Sequence, residues 1–334
     1  MLRIFFTHED LAKMRVATTC DPFWEIVFSL HRLQGRPGRW AYAGWIRSVR
    51  ARLADTGLDR IVRSMLGPLL PRKSYFPDFV TPAEAQHGFD AGAEAILAAS
   101  ERLVLDELAK LDRVHGTGTR LRRLADPDGR RELVSALRAY HAVAIKPVEE
   151  LMQARVDADR AVRARALLDG GVEGLLRSLA PALRWKPPVL EAEYPGNLDI
   201  HLDGRGLRLV PSYFCWGQPV SMADPELPPV VAYPVVRDQE SGSTRAEAPL
   251  SRLLGQSRAL ILRATAAGMT TGELARLAGV SPATASHHLS VLRDNGLVST
   301  VRNANMTLHT LTPAGANLVR SARSMADAGF SSQV

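Results

Sequence analysis

The strongest constraint in this chain is a pair of helix-start signals near its C-terminal end, set close together around a turn. Thr270 or Thr271 can cap a first short helix, and Gly279 follows it at a position where a positive φ is often needed. Ser281 then caps a second helix that has Pro282 at its first position. Two short helices joined by a turn of three or four residues form a helix-turn-helix unit. The sequence therefore predicts such a unit here.

The second helix is predicted over about residues 282–294, because an Asn-Gly pair that favours a left-handed stop follows it. Ala285, Leu289 and Leu292 fall at helical spacing and should face the core of the module. The opposite face is polar and lacks a carboxylate, which suits an element that enters the major groove of DNA. That face carries Thr284, Ser286, His287, Ser290 and Arg293, with His288 nearer its edge.

A β-hairpin, or wing, is predicted after this helix, at about residues 298–311. Two strand-like segments flank the sequence 303–305, Asn-Ala-Asn, and asparagine tolerates the left-handed geometry that a tight turn needs. Arg302 lies near the tip of this wing, and Thr312-Pro313 begins a last helix. We therefore predict a winged helix-turn-helix domain over residues 251–322.

Positive charge is concentrated in this domain. The chain has a formal net charge of +7, and residues 251–322 contain seven arginines against two acidic residues, a net charge of +5. Such an excess fits a phosphate-binding surface. A GC-rich coding sequence that favours arginine codons explains the arginine bias of the whole chain equally well.

The run from Ser281 to Val298, Ser-Pro-Ala-Thr-Ala-Ser-His-His-Leu-Ser-Val-Leu-Arg-Asp-Asn-Gly-Leu-Val, resembles the recognition-helix signature of the ArsR-like winged-helix regulators. These are mostly homodimeric bacterial repressors. The resemblance covers about residues 255–320, and the long N-terminal region is similar to an extension found in actinobacterial regulators of this kind. The resemblance implies base or phosphate contacts from Thr284, Ser286, His287 and His288.

The expected partners are double-stranded DNA at an operator, a second copy of the chain and, for the N-terminal region, a small-molecule effector. No cysteine lies on the helix before the recognition helix, so thiolate metal sensing is not expected there. We also expect no metal, no cofactor and no catalytic residue. The predicted DNA-binding residues are Ser281, Thr284, Ser286, His287, His288, Ser290, Arg293, Arg302 and Asn303.

The fold class predicted for the chain is mainly α with small β elements (α+β). Residues 1–186 are predicted to be mainly helical after a strand at 1–6, and to serve in sensing or dimerisation. Their predicted helices begin at Thr7 and at Asp21-Pro22 and then cover 36–66, 82–114, 129–156 with a kink or a split near Ile145 caused by Pro147, and 158–180 with a break at Gly170-Gly171.

Residues 187–237 are predicted to form a small sheet packed with the N-terminal domain. Alternating patterns predict strands at 189–194, 197–202, 207–214 and 229–236, with a hairpin connection at Asp203–Gly206. Residues 238–250 are polar and read as a linker or loop, and 323–334 as a tail.

Three other interpretations concern single features. The aromatic residues Phe23, Trp24, Phe28, Trp40, Tyr42 and Trp45 either line a ligand pocket or, more commonly for such spacing, form core. Cys215 is either a redox sensor or a buried inert thiol, and no basic neighbour in sequence favours the sensor. The pair His287-His288 lacks a third nearby metal ligand, which favours DNA contact or solvation.

The whole chain also allows other functions. An N-terminal enzyme would need a catalytic constellation, and no GxGxxG, Walker A, GxSxG or CxxC motif occurs. A protein-interaction adaptor would use the winged helix for docking. Two cysteines, no signal-like N-terminus and no long apolar run favour a cytoplasmic protein, nucleoid-associated when bound to DNA. The favoured function is a sequence-specific, homodimeric transcriptional regulator that acts as a repressor.

Overall fold

The computed structural model describes residues 1–35, 41–72, 75–116, 121–222, 224, 226–235, 250–251, 253–303 and 306–319. Within these ranges the side chains of residues 267, 302, 303 and 306 are not described. The chain divides into two units, Met1–Arg237 and Asp238–Val334. The fold is mainly α with small sheets, as the sequence predicts.

The first two helices of the first unit begin where the sequence places strong caps. Thr7 and Asp10 form a capping box at the first helix, and the Asp21 carboxylate accepts hydrogen bonds from the backbone N–H groups of Phe23 and Trp24. The named α-helices among the described residues of this unit are α1 (His8–Lys13), α2 (Pro22–Gln34), α3 (Ala43–Asp55), α4 (Leu58–Ile61), α5 (Gly67–Leu69), α6 (Phe89–Ala98), α7 (Glu101–His115), α8 (Pro127–Tyr140) and α9 (Glu149–Ser178).

The predicted helix over 82–114 is wrong as a single element. A short 3₁₀ turn (Ala83–His87) precedes α6, and the chain is extended at Ser100 between α6 and α7. The Ser100 hydroxyl oxygen accepts a hydrogen bond from Leu103 N at 3.2 Å and so caps α7. The apolar period continues across this break, which is why periodicity alone joins the two helices.

The break predicted near Pro147 is present, whereas the gap predicted at residue 157 is absent. After α8 the backbone forms a π turn (His141–Ile145) and a 3₁₀ turn (Lys146–Val148) around Pro147, whose missing N–H prevents a regular helix. The helix α9 then continues through residue 157, where a gap between two helices was predicted. Its own interruption is at Gly170 and Gly171, as predicted.

Two small sheets, instead of the single predicted sheet, complete the first unit. The strand orders are β3-β4-β1-β5 and β2-β6-β8-β7. In the first sheet β1 is antiparallel to β4 and parallel to β5, with Ile4 opposite both Leu190 and Ile200. The strands are β1 (Leu2–Phe5), β2 (Arg15–Val16), β3 (Arg184–Lys186), β4 (Val189–Ala192), β5 (Leu198–His201), β6 (Arg208–Ser212), β7 (Val220–Ser221) and β8 (Val230–Pro234).

The predicted hairpin at Asp203–Gly206 is wrong, because β5 and β6 lie in different sheets. The segment does turn sharply, but α1 holds it: Gly206 N donates to the Asp10 carboxylate at 2.9 Å and Lys13 Nζ donates to Gly204 O at 2.7 Å. The strand β6 pairs in parallel with β2 and β8 instead. The turn residues therefore indicate that the chain changes direction here, but they do not indicate that β5 and β6 pair with each other.

The first unit has two apolar clusters. The larger one lies among the helices, and the smaller one lies between the first sheet and the end of α9. Phe23, Trp24, Phe28 and Tyr42 are buried in the larger cluster, and Trp45 donates its Nε1–H to Ala144 O at 2.8 Å. These five aromatic side chains are core, whereas Trp40 lies outside the described residues.

The second unit has its own core, and in chain order it consists of helices, a hairpin and a final helix. Its core includes Leu262, Leu274, Leu289 and Val298. The strands β9 and β10 are antiparallel, with Val301 opposite Leu308. The elements are α10 (Gln256–Ala264), α11 (Thr271–Ala278), α12 (Pro282–Asp294), β9 (Val298–Asn303), β10 (Met306–Leu311) and α13 over 313–319.

Across the described helices of both units, none combines the length and the apolar character that a membrane span requires.

Candidate nucleic-acid interface

The helix α11 begins at a complete capping box. Thr270 is the N-cap, and its hydroxyl oxygen accepts from Glu273 N while the Glu273 carboxylate accepts from Thr270 N at 2.8 Å. Of the two threonines that the sequence offered, the structure therefore uses Thr270. This arrangement satisfies N–H groups that have no partner inside the helix and fixes where α11 starts.

The turn between α11 and α12 depends on Gly279. Its φ is 64°, a left-handed conformation that a side chain would strain. Val280 N donates to Ala275 O at 3.0 Å, which closes the end of α11. Two residues after Gly279, the Ser281 hydroxyl accepts from Thr284 N at 3.1 Å and Pro282 begins α12. The helix-turn-helix geometry thus has a local chemical cause at each joint.

One face of α12 is buried, as the sequence predicts. Ala285, Leu289 and Leu292 are at most 2 % exposed and pack with Leu274 and Ala275 of α11. The two alanines permit close approach of the helices. Because this face is committed to the core, the opposite face of α12 must point outward.

The predicted contact residues on the outward face of α12 differ in how exposed they are. Ser281, Thr284, Ser286, His287 and Arg293 are exposed, whereas His288 and Ser290 are half-buried. The Ser281 and Thr284 hydroxyls lie 2.8 Å apart and hydrogen-bond to each other. Within the described part of the chain, Ser286 and His287 make no side-chain hydrogen bond, so their polar groups are available to a ligand.

The C-terminal end of this face is cationic and partly restrained. Arg293 Nη2 donates to Ser290 Oγ at 3.1 Å, and the Ser290 hydroxyl lies 3.4 Å from the Asp294 carboxylate. The guanidinium retains further N–H groups for an external acceptor, since one contact to a hydroxyl uses only one of its five donors. Phosphate contact is chemically suited to this position.

His288 differs from its neighbour His287. Its Nδ1 is buried and has no hydrogen-bond partner among the described residues. Burial lowers the pKa of His288, with smaller contributions from the charges of Arg258 and His287. The two imidazole rings are 6.0 Å apart, and the described residues include no group of three or more His, Cys, Asp or Glu that could hold a metal ion.

The wing is present where the sequence predicts it, over 298–311. The backbone of Asn303 pairs with Met306 at the outer end of the hairpin. The side chains of Arg302 and Asn303 lie outside the described part of the structure, as do residues 304–305. Their contact with DNA stays a prediction.

His309 holds the wing to the helix-turn-helix, and the sequence analysis missed it. Its Nε2 lies 2.9 Å from Thr271 Oγ1 on α11, and its Nδ1 lies 3.0 Å from Thr300 Oγ1 on β9. Its backbone also exchanges two hydrogen bonds with Met269, at 2.9 and 3.2 Å. The ring is 5 % exposed, and burial lowers its pKa, aided by the Arg293 charge. The sequence signal for this role is a histidine at an inward-facing position of a strand whose residues alternate between the two faces.

A close contact at Gly315 seats α13 against the end of α12. A Cβ at Gly315 would lie 2.1 Å from Leu297 O. Thr312 supports the same joint, since its hydroxyl donates to Gly296 O at 2.6 Å and accepts from Gly315 N at 3.0 Å. Contacts on both sides of the hairpin, those of His309 and those at Gly315, therefore position α12 and the wing on the core of this unit.

Two features of the first unit bear on its own role. Cys215 is buried and donates its Sγ–H to Gln218 O at 3.4 Å, and burial raises the pKa of the thiol. Such a thiol is unreactive. A cleft bounded by residues that include Leu198, Met222 and Val230 holds about 110 Å³. Small-molecule sites usually hold about 300–1,000 Å³.

Comparison with known proteins gives a match to one family model. Residues 256–301 match the family model of a helix-turn-helix domain. This range begins with α10 and ends inside β9, so it contains α10, α11 and α12 and leaves out the outer part of the wing with Arg302 and Asn303. No curated protein and no solved structure matches the chain. The helix-turn-helix domain supports binding to double-stranded DNA and a role in transcription regulation.

Proposed function

We propose that the chain is a homodimeric, sequence-specific DNA-binding regulator of the ArsR-like winged-helix type, and that it acts as a repressor. The observation that carries this proposal is the outward face of α12. There Ser286 and His287 are exposed and make no side-chain hydrogen bond to any described residue, and the exposed Arg293 lies about two turns further along. A helix with a buried opposite face and such a polar face suits insertion into a major groove.

Different residues of this face take different roles in the proposal. Ser286 and His287 contact base edges, because their hydrogen-bonding groups are not engaged by any of the described residues. Arg293 contacts a phosphate, and the wing contacts flanking DNA through Arg302 and Asn303. Base contacts specify a sequence, while phosphate contacts supply affinity that salt weakens.

Homodimerisation follows in this proposal from the size of one recognition helix. A single helix reads only a few base pairs, and regulators of this type gain affinity by binding two half-sites about one helical turn apart. The repressor polarity rests on the resemblance to the ArsR-like class. For the N-terminal unit, the proposal keeps both roles that the sequence allows, dimerisation and the binding of a small-molecule effector.

Fluorescence anisotropy with the DNA upstream of the chain's own gene tests the proposal. We expect tight binding that a scrambled competitor does not displace, at two salt concentrations. Ser286→Ala and His287→Ala should alter the preference among operator variants. Binding that disappears with competitor for every upstream fragment would contradict a sequence-specific regulator, since only the electrostatic attraction would remain.

A further inference from the structure

The helix α9 has an inner face that is locked in place. Met152 and Val156 are at most 1 % exposed. One turn later, Arg163 Nη2 pairs with the Asp159 carboxylate at 2.6 Å, and the Tyr233 hydroxyl donates to the same carboxylate at 2.6 Å. These buried contacts fix the rotation of α9 about its axis. They therefore also fix which residues point away from the unit.

The outer face of α9 repeats with the spacing of a coiled-coil seam. Its residues alternate steps of three and four, so they form one stripe along the helix. Leu151 is 44 % exposed and Leu168 is 86 % exposed, although both are large apolar side chains. The stripe ends before Gly170 and Gly171 interrupt the helix. The seam consists of Leu151, Ala154, Ala158, Ala161, Arg165 and Leu168.

We propose that this seam is the dimer interface, and that it packs against the same seam of a second copy in antiparallel orientation. The proposal deepens the dimeric function proposed above and rests on its need for two copies. In an antiparallel pair about a two-fold axis, Leu151 faces Leu168 of the second copy and Ala158 faces Ala161. The small residues lie at the centre, where they let the two backbones approach closely, and the leucines close both ends.

Charge decides the orientation. In a parallel pair Arg165 would face Arg165 of the second copy, and like charges repel. In the antiparallel pair Arg165 faces Ala154, which has the acidic residues Glu150 and Asp157 one helical turn to either side. Among the described residues, neither Arg165 nor Glu150 forms an ion pair within its own chain. The seam is thus complementary to itself in one orientation only.

The length of the seam fits a helix–helix contact of moderate size. From Leu151 to Leu168 it extends about 26 Å at the rise of an α-helix. Val162, which is 52 % exposed, flanks the seam and adds apolar surface. Burial of these side chains in both copies drives the association. The charges of Glu150, Asp157 and Arg165, three in each copy, set the orientation.

Sedimentation of the full chain without DNA tests the interface. Wild-type protein should sediment as a dimer, and Ala161→Glu should be mainly monomeric, because it places a charge at the centre of the contact. The matched control is Val114→Glu, a residue on α7 that is 50 % exposed and outside the seam; it should remain a dimer. Equal far-UV circular dichroism spectra and a cooperative melting transition in each would show that both variants fold. A monomeric wild type, or a dimer that survives Ala161→Glu, overturns the proposal.

Charge reversal tests the pairing that sets the orientation. Arg165→Glu should weaken the dimer at least tenfold, because it faces two carboxylates. Adding Glu150→Arg and Asp157→Arg to the same chain should restore the dimer. A damaged fold would not be restored by two further surface changes. Failure of the restoration overturns the charge pairing.

Engineered cysteines test the orientation directly, in a Cys20→Ser background. Mixing Leu151→Cys chains with Leu168→Cys chains under mild oxidation should give a disulfide-linked pair, while either variant alone should not cross-link. Cross-linking of Leu151→Cys with itself overturns the antiparallel arrangement. These experiments are done without DNA. A dimer that binds no operator would therefore contradict the regulatory function but not the proposed interface.

Discussion

Ser286 and His287 are adjacent on the exposed side of α12, and Arg293 lies about two turns further along the same helix. The three side chains differ in what they can discriminate. A hydroxyl and an imidazole can match the donors and acceptors of particular base edges, whereas a guanidinium on a phosphate reads no sequence. The roles proposed for them can therefore be separated by experiment.

Arg293→Ala should weaken binding to the operator and to scrambled DNA by similar factors. It should also reduce the slope of log affinity against log salt concentration by about 1, because one phosphate contact releases about one counterion. Anisotropy titrations at several salt concentrations measure both quantities. Arg102→Ala, on α7 with a side chain that is 93 % exposed, removes the same charge elsewhere and is the control. A loss confined to the operator would show that Arg293 contacts a base.

His309 should make the second unit less stable in mild acid. Its pKa is lowered in the folded state, so the unfolded state binds the extra proton first. Stability is therefore complete above the ordinary histidine pKa of about 6.5 and is lost as the pH falls from there toward the lowered value. Two hydrogen bonds depend on this ring, and His309→Gln should cost about 1–3 kcal/mol at pH 7.5.

Thermal unfolding at pH 7.5 and pH 5 measures the effect on the second unit. The difference between the two pH values should shrink in His309→Gln and persist in the control, His287→Gln, whose ring is exposed. His288 has a lowered pKa in the same unit and remains in both variants; His287→Gln removes only one of the charges that lower it, while burial, the main cause, stays. An unchanged pH dependence in His309→Gln would exclude His309 as the titrating group.

At the level of elements, several helices of this chain begin at a residue whose side chain caps them. Thr270 begins α11, Ser281 begins α12 and Ser100 begins α7. Helix docking depends instead on close approach. The helix α13 reaches the end of α12 only because Gly315 has no side chain to meet Leu297 O.

Gly315→Ala should destabilise the second unit by about 2 kcal/mol or more, because a methyl group there overlaps a backbone carbonyl that cannot move freely. Gly272→Ala is the matched control. It lies in the first turn of α11, and its added Cβ would have Arg276 Nη1 at 4.0 Å as its neighbour. That variant should be neutral or gain about 0.5–1 kcal/mol from helix propensity. Thermal denaturation compares them, and equal stability of both variants would refute the close contact.

At the level of the whole molecule, each of the two units encloses apolar clusters of its own. No residue belongs to the clusters of both units among those described. Each unit therefore has what it needs for cooperative unfolding. The chain should show two unfolding transitions.

Leu137→Ala, at a fully buried position of α8, should lower one calorimetric transition and leave the other in place. The expected cost is about 2–5 kcal/mol, since a cavity replaces a core side chain. Gly315→Ala should lower the other transition. The two variants together thus assign each transition to a unit. A single transition that both substitutions lower would show that the units unfold as one.

The helix-turn-helix could be predicted because its signals are local. A capping hydroxyl such as that of Ser281, a proline at position 282 and a left-handed glycine at 279 act within one turn of backbone. The buried positions Ala285, Leu289 and Leu292 follow from helical periodicity. The sequence by itself therefore determined the elements, their faces and the class of surface they present.

Only the tertiary structure decided how distant segments meet. Asp203–Gly206 reads as a hairpin, yet Asp10 and Lys13 of α1 hold this turn while β5 and β6 join different sheets. His309 matters because Thr271 and Thr300 lie at its two nitrogens. Such pairings depend on packing across many residues, which no local propensity encodes. The outward seam of α9 is likewise visible only once Asp159 and Arg163 are seen to hold its other face inside.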